Sequence, residues 1–265
     1  MKRRDFLKTS LAASTLAALA PQTTTAAADR TTAEREYYEW RAYRLKAGAD
    51  HALLDTYLEK AAIPALNRLG SKPIGVFTEI EPKEDPAVFV LIPHSSLEAF
   101  AASAGKLHSD EEHLKAGAEY LQVAKKNPAF ARIDTWLLQA FASMPKIELP
   151  AYSRERKTRI FEVRTYESHS EAKARKKVEM FNAGEVEVMR DVGLGPIFFG
   201  EALVGSNLPH LTYLLSAETR ELHKQHFAAF GKDPRWKKLA ADQQYTDTVS
   251  KSVTKFLQPT AYSQI

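Results

Sequence analysis

The chain has 265 residues, of which 44% are hydrophobic and 26% are charged, a composition that indicates a folded globular protein and excludes a wholly disordered one. The formal net charge of +4 falls to +1 if the first 28 residues, with four basic residues and one acidic residue, are removed, and a nearly neutral chain gives no reason to expect nucleic acid or an anionic membrane surface as a partner. The absence of cysteine excludes disulfide bonds, cysteine nucleophiles, thiolate metal sites and iron–sulfur clusters.

Residues 1–28 have the organisation of an export signal. Arg3 and Arg4 precede a weakly apolar run at residues 11–20, and the alanines at positions 26–28 offer a cleavage site. The paired arginines predict the twin-arginine route and hence a periplasmic or other extracytoplasmic location. The run is too short to span a bilayer, so no membrane span is expected after cleavage. The alternative is a basic arm of a cytoplasmic protein.

The sequence repeats itself after 123 residues. A Glu-x-Arg-x-Tyr pattern occurs twice at this offset, first as Glu39, Arg41 and Tyr43 and then as Glu162, Arg164 and Tyr166. Gly70 and Pro73 recur at the same offset as Gly193 and Pro196. We infer a duplicated unit, with a first copy at residues 36–143, a linker at 144–157 and a second copy at 158–265.

The first copy alternates between strand and helix patterns. In chain order, the predicted elements are a strand at 37–45, a helix at 50–69, strands at 74–80 and 87–93, a helix at 95–104, a helical piece at 110–125 and a strand at 133–141. Pro64 predicts a kink or break in the long helix.

The second copy follows the same order. A strand containing Phe161 is followed by a helix whose predicted capping box pairs Ser168 with Glu171, and Gly193 ends that helix. Strands at 196–205 and 210–217, a helix at 218–230 and a strand at 248–257 come next. Asp233 and Pro234 are the expected start of a further helix.

Each copy therefore has the order β-α-β-β-α-β, which predicts an α+β fold of two tandem ferredoxin-like units. A ferredoxin-like unit carries its helices on one face of the sheet and leaves the other face bare. We expect the two bare faces to cover each other and form one pseudo-dimeric α/β barrel.

Several segments resemble the NIPSNAP family of the dimeric α/β-barrel superfamily. They are "IFEVRTY", "GPIFFGEALVG", "LTYLL", "FGKDPRWKKL" and the terminal "PTAYSQI". The resemblance is close over residues 159–265 and weaker over 37–141. It implies a ferredoxin-like barrel but no particular reaction, because the superfamily includes cofactor-free monooxygenases, haem-handling enzymes and small-ligand binders.

The repeated Glu-x-Arg-x-Tyr strands are the candidate site. If Phe161 and Val163 pack on the helices, then Glu162, Arg164 and Tyr166 face the space between the sheets. The corresponding candidates in the first copy are Glu39, Arg41 and Tyr43, and the expected pocket is completed by Phe199 and Tyr213. Either the arginines receive an anion such as a carboxylate with help from the tyrosines, or the charged residues form a structural network.

The histidines do not predict a metal site. His223 and His226, like His108 and His113, have spacings that could provide two ligands, but no third ligand is recognisable, so we expect solvated helix surfaces. His210 flanks a strand and is expected near the barrel rim, as is His94. No motif predicts a cofactor or identifies a catalytic residue.

The preferred hypothesis is a non-enzymatic protein that binds a small anionic or aromatic molecule between the sheets, or another protein through its surface. The alternative is a cofactor-independent enzyme, similar to a monooxygenase or isomerase, that acts on a small hydrophobic substrate in the same space. A third alternative is a filled barrel that works only through its surface.

Overall fold

The computed structural model describes residues 34–46, 51–82 and 86–265. The expected export signal at residues 1–28 lies outside these ranges, so export stays a prediction. In the described part of the chain, no helix combines the length and apolar character needed to cross a membrane.

The first half of the barrel runs from β1 to β4. Its elements are β1 (Tyr37–Arg44), α1 (Ala52–Tyr57), a π-helical turn (Leu58–Ala62), α2 (Ile63–Arg68), β2 (Gly75–Glu79), β3 (Ala87–His94), α3 (Leu97–Ser109), α4 (Glu111–Ala116), α5 (Ala118–Leu121) and β4 (Arg132–Ala140). The predicted element order is confirmed.

The second half repeats that order. Its elements, with the short helix that precedes them, are α6 (Ala151–Arg154), β5 (Ile160–Glu167), α7 (Glu171–Met180), a π-helical turn (Phe181–Glu185), α8 (Val186–Asp191), β6 (Pro196–Val204), β7 (His210–Ala217), α9 (Arg220–Lys232), α10 (Pro234–Ala241), a 3₁₀ turn (Gln243–Tyr245) and β8 (Lys251–Pro259). The first strands, the π-helical turns, the third strands and the long helices α3 and α9 of the two halves all begin 123 residues apart.

The eight strands form one closed antiparallel barrel in the order β1-β3-β2-β8-β5-β7-β6-β4. Each half contributes four neighbouring strands, and the halves meet where β2 pairs with β8 and where β4 pairs with β6. Closure satisfies the backbone hydrogen bonds at the sheet edges that each half alone would expose. The predicted pseudo-dimeric barrel is thus confirmed.

Three apolar cores follow from this arrangement. The barrel interior is filled from both halves, and two further cores lie where each pair of helices covers the outside of its own sheet. The third strand of each half, β3 or β7, lies between an interior core and a helix-covered core. Every residue of both strands is therefore buried, which explains their continuous apolar sequences.

The two seams of the barrel differ in length. At the β2–β8 seam only Phe77, Thr78 and Glu79 pair with β8, and the N–H of Ile80 donates a further bond to the carbonyl of Phe256. The start of β8, residues 251–255, pairs with β5 and has no second strand beside it in the described ranges. The barrel wall is therefore open along this part of β8.

A π-helical turn interrupts the long helix of each half. Pro64 does not end the first helix, because the chain remains helical through α2. The second half has no proline at the equivalent place, and there Gly184 at φ 138° is non-helical and kinks the helix. Such turns insert one residue into a helix and change which side chains face the sheet.

The helix starts follow the expected capping chemistry with one correction. Ser170, and not Ser168, caps α7, where its hydroxyl accepts a bond from the N–H of Lys173. The hydroxyl of Ser168 instead donates to the carbonyl of Thr248. The predicted start of α10, with Asp233 as N-cap and Pro234 at the first helical position, is confirmed.

One end of the barrel is filled by the segment that joins the halves. Ile147 and Leu149 pack against the interior core, and the N–H of Ile147 donates to the carboxylate of Glu36 at 2.8 Å. The side chain of Ile265 is fully buried in the same core. The start of β1 therefore lies at a closed end, and any interior space must lie toward the other end.

We predict that Gly195→Ala destabilises the protein by at least about 2 kcal/mol, because Gly195 has φ 57° and an added Cβ would clash with the Tyr152 hydroxyl and the Ser216 carbonyl. Urea denaturation measures the free energy of unfolding. Gly231→Ala is the matched control, because Gly231 lies in α9 and an added Cβ would meet no atom within 4 Å. This substitution should change the free energy of unfolding by no more than about 1 kcal/mol. Equal effects of the two substitutions would contradict this reading.

Candidate functional site

The two Glu-x-Arg-x-Tyr faces point away from the space between the sheets. Phe161 and Val163 belong to the barrel interior, whereas Tyr166 packs in the helix-covered core of the second half. Tyr43 occupies the matching helix-covered core of the first half. The predicted orientation is wrong, because the closed barrel takes the face with Phe161 and Val163 into its interior and leaves the other face under the helices.

Beneath the helices, each Glu-x-Arg-x-Tyr face forms a hydrogen-bonded cluster. In the second half, Arg164 donates from Nε to the carboxylate of Glu162 at 2.8 Å, and its Nη1 lies 3.5 Å from the hydroxyl of Tyr166. In the first half, Arg41 makes the equivalent contacts to Glu39 and to Tyr43. The glutamates are almost fully buried and each is paired, as a buried charge requires.

A histidine completes each cluster but comes from a different element in each half. His94 of β3 lies 3.3 Å from Glu39, whereas His223 of α9 lies 2.7 Å from Glu162. At the 123-residue offset, the position of His223 is occupied in the first half by Phe100, whose ring packs edge-on against His94. The two halves therefore make the same glutamate–histidine contact with histidines from different elements.

The expected surface location of two histidines is wrong. His223 is buried against Glu162, and His113 is buried with its Nε2 3.1 Å from the Tyr57 hydroxyl. Both were expected on solvated faces because the surrounding helix sequence is polar. In the part of the chain that the structure describes, no three His, Asp or Glu side chains lie close enough together to hold a metal ion.

The second half contains a further buried ion pair. Lys177 donates to Glu185 at 2.8 Å, and the hydroxyl of Tyr213 donates to that of Tyr166 at 2.8 Å in the same core. Burial raises the pKa of Glu185, and burial likewise raises that of Tyr213. In the first half the equivalent positions hold apolar residues, namely Leu54, Ala62 and Val90.

These results locate all eight candidate residues. Six form the two clusters beneath the helices, and the other two, Phe199 and Tyr213, lie in the helix-covered core of the second half, where their rings stack at 5.1 Å. The structure therefore places all eight candidates on the outer face of the barrel wall. The first-half candidates lie under the helices of the first half, and the second-half candidates lie under those of the second half. They do not line one pocket between the sheets.

The large cavity lies elsewhere, in the mouth of the barrel opposite the filled end. It has a volume of about 720 Å³ and is lined by inward-facing residues of both halves and by residues on both sides of β8. Val253 and Lys255 face inward like Leu257, whereas Thr254 and Phe256 face the other way. The cavity therefore continues from the interior around the open edge of β8.

One wall of the cavity is aromatic and comes from the first half. Trp40 and Phe89 stack with their ring centroids 5.5 Å apart, and Trp136 lines the cavity beside them. The indole N–H of Trp136 donates to the carbonyl of Ser206 at 3.3 Å, which holds its ring at the mouth. A flat apolar molecule could pack against this wall.

The facing wall comes from the second half and is polar. The hydroxyls of Thr165 and Thr212 lie 2.9 Å apart, and that of Thr212 lies 3.4 Å from Nδ1 of His210. At the 123-residue offset the first half has Ala42, Phe89 and Ala87 at these three positions. The two halves thus provide one apolar wall and one polar wall.

The charged residues at the rim are paired. Four cations line the cavity and each has a carboxylate partner, in the pairs Arg44–Asp134 at 2.8 Å, Lys251–Glu167 at 3.1 Å, Lys255–Glu79 at 2.8 Å and Arg220–Glu81 at 3.6 Å. Lys255 and Glu79 belong to the two strands of the short seam, so their ion pair bridges it. An anionic ligand would have to compete with these carboxylates.

The sequence reasoning placed His210 near the rim but missed the residues that line the cavity. Two of these residues, Trp40 and Thr165, lie between the residues of the Glu-x-Arg-x-Tyr pattern. The other two lie on the neighbouring strands, where Phe89 pairs with Ala42 and Thr212 pairs with Thr165. A comparison of the two copies at the constant offset could have found them, because hydroxyls replace apolar side chains on the inward face of one copy only.

The buried ion pair generates a first prediction for this region. Lys177→Leu or Glu185→Ala alone should destabilise the protein by about 3–5 kcal/mol, because each leaves a buried charge without its partner. The double variant copies Leu54 and Ala62 of the first half and should recover part of that loss, since neither charge is then left unpaired, while the smaller side chains leave a cavity. Urea denaturation of the three variants tests this; additive losses in the double variant would show that the pair is not the source of the effect.

The glutamate clusters generate a prediction about pH. Burial works to raise the pKa of Glu39, but His94 and Arg41 outweigh it, so that the pKa lies below the ordinary value of 4.5. Ionised Glu39 therefore stabilises the folded state above pH 4.5, and this contribution is lost as the pH falls through the folded pKa. The difference in unfolding free energy between wild type and Glu39→Gln should be largest above about pH 5 and should shrink at lower pH.

Glu36→Gln is the control for that experiment. Burial raises the pKa of Glu36, so its charged form disfavours folding and the difference between wild type and this variant should change with pH in the opposite direction. If the difference from wild type changed with pH in the same direction for both variants, the opposite pKa shifts assigned to Glu39 and Glu36 would be contradicted.

Comparisons with known proteins agree with the barrel. A proposed monooxygenase from Fusobacterium nucleatum is 11% identical, with 86% of this chain and 93% of that chain covered and a TM-score of 0.56. A second proposed monooxygenase, from Lactobacillus acidophilus, is 9% identical, with coverages of 85% and 94% and a TM-score of 0.55. At these identities the likeness shows the fold alone.

Two comparisons concern the NIPSNAP family. An uncharacterised NIPSNAP-like domain protein from Burkholderia xenovorans is 21% identical, with 40% of this chain and 89% of that chain covered and a TM-score of 0.36. No curated protein matches the chain. Residues 161–264 match the NIPSNAP family model, and this match supports the predicted resemblance of the second half of the barrel to the NIPSNAP family.

Proposed function

We propose that this protein binds a small molecule in the mouth of its barrel. The observation that carries the proposal is the cavity of about 720 Å³, which lies within the range of about 300–1,000 Å³ typical of small-molecule sites. Its lining has the usual composition of such a site, an apolar aromatic wall with a few polar groups that can orient the bound molecule.

The proposed site differs from the one expected from sequence. The repeated glutamates, arginines and tyrosines are bonded to one another and to histidines beneath the helices, which favours the structural network over an anion site at Arg41 or Arg164. The cavity instead uses the opposite face of the same strands, since Trp40 and Thr165 alternate with these residues along β1 and β5.

The duplication supports the proposal. The two halves share their element order and a constant offset, and we propose that the first half is a diverged copy of the NIPSNAP-like second half. Divergence on the inward face would then have produced the asymmetric cavity. The cofactor-independent enzyme remains the rival, but the likeness to the two proposed monooxygenases concerns the fold and gives no reason to prefer a reaction over binding.

We predict that Val163→Phe weakens binding in the cavity at least about tenfold, because Val163 lines it opposite Trp40 and a larger ring would occupy the space of a ligand. The probe is 2-methylnaphthalene, and binding is measured by equilibrium dialysis of residues 34–265 and of the full chain. Leu203→Phe is the matched control, because Leu203 is exposed and does not line the cavity.

Binding that is equally strong in wild type, Val163→Phe and Leu203→Phe would contradict the proposed site, and so would the absence of any binding by wild type. Mass spectrometry of the purified wild-type protein then identifies any molecule that co-purifies, and incubation with that molecule distinguishes a binding protein from an enzyme by whether its mass changes.

A further inference from the structure

The hydrogen-bonded chain of Thr165, Thr212 and His210 in the polar wall ends in an accessible hydroxyl. Thr212 is buried with 3% of its surface exposed and lies between His210 and Thr165, so that the three side chains form a chain of hydrogen bonds. Thr165 is only half-buried and is therefore the member of the chain that a bound molecule can reach.

The direction of this chain depends on the proton of His210. Burial lowers the pKa of His210, although the backbone of Leu211, the charge of Glu167 and the backbone of Ser206 act against it, so the ring is neutral and carries one proton. The Thr212 hydroxyl, 3.4 Å from Nδ1, can either donate to that nitrogen or accept from it. The contact with Thr212 is therefore compatible with the ring proton on either nitrogen.

Each position of that proton gives Thr165 a different role. With the proton on Nε2, Nδ1 accepts from Thr212, Thr212 accepts from Thr165, and the Thr165 oxygen has only acceptor capacity left. With the proton on Nδ1, every bond reverses and the Thr165 hydroxyl is free to donate. A hydroxyl group is the simplest partner that fits both cases, since it can donate and accept.

The remaining lining argues against a charged partner. Each of the four cations that line the cavity already pairs with a carboxylate, and the His210 side chain is neutral. Moving an ion into the cavity would require desolvation without an unpaired opposite charge to receive it. The wall formed by Trp40 and Phe89 instead suits a flat ring, which packs by offset stacking.

We infer that the cavity takes an uncharged aromatic molecule that bears a hydroxyl group, with the ring against Trp40 and Phe89 and the hydroxyl bonded to Thr165. This inference rests on the proposed function and names its ligand class. His210 is a positioning residue in this arrangement, because it acts on the bound molecule only through Thr212 and Thr165.

The test compares three probes by equilibrium dialysis, namely 2-naphthol, its apolar isostere 2-methylnaphthalene, and the anion 2-naphthoate. Wild type should bind 2-naphthol about three- to tenfold more tightly than 2-methylnaphthalene, the ratio expected for one net hydrogen bond. It should bind 2-naphthoate more weakly than 2-naphthol.

The variants locate the hydrogen bond. Thr165→Ala, which copies Ala42 of the first half, should bring the ratio of the 2-naphthol and 2-methylnaphthalene affinities close to one, and Thr165→Ser should restore it because serine keeps the hydroxyl. His210→Leu should lower the same ratio in part, and Thr212→Val should do the same.

Each failure has a distinct meaning. Equal affinities for 2-naphthol and 2-methylnaphthalene in wild type would overturn the hydroxyl inference, and a ratio unchanged by Thr165→Ala would overturn the role of Thr165. Tighter binding of 2-naphthoate than of 2-naphthol would show an anion site instead. In all three cases the proposed function would stand if wild type binds 2-methylnaphthalene and Val163→Phe abolishes that binding. If wild type binds none of the probes, both the proposed function and the inference about the ligand class would be overturned.

Discussion

The structure depends on the need of each half to cover the bare face of its sheet. A four-stranded ferredoxin-like sheet with helices on one side has an exposed apolar face and two edges with unpaired backbone groups. Here both problems have one solution, because β2 pairs with β8 and β4 pairs with β6 to close the wall around a common interior. Neither half could keep this interior dry without the other.

Closure also decides where the charged residues go. The interior takes the apolar face of β1 and β5, so the glutamate, arginine and tyrosine of each strand face the helices. A glutamate at that depth needs partners, and each half provides an arginine from the same strand and a histidine. His94 and His223 come from a strand and a helix respectively, so the same contact is made from two different positions in the fold.

The cavity arises where the two halves are least alike. Near the filled end, side chains from both halves and from the joining segment occupy the interior. At the mouth, Trp40 and Phe89 of the first half face Val163 and Thr212 of the second, and the short β2–β8 seam leaves one side of the wall open. A barrel built from two identical halves would have the same chemistry on both walls, whereas the unlike halves of this barrel give the cavity two distinct sides.

The sequence alone determined the element order and the pairing of two sheets. Strand alternation and helix periodicity are local signals, and the constant 123-residue offset relates the two halves of the chain to each other. The alternation along β1 and β5 separated the Glu39 face from the Trp40 face, but it did not indicate which face is inward, since both faces of a strand in a covered barrel are buried. Only the tertiary structure decided this, and with it the burial of His113 and His223 and the location of the cavity. Those outcomes depend on contacts between residues far apart in the chain, such as Lys255 with Glu79 and Thr165 with Thr212, which no local pattern specifies.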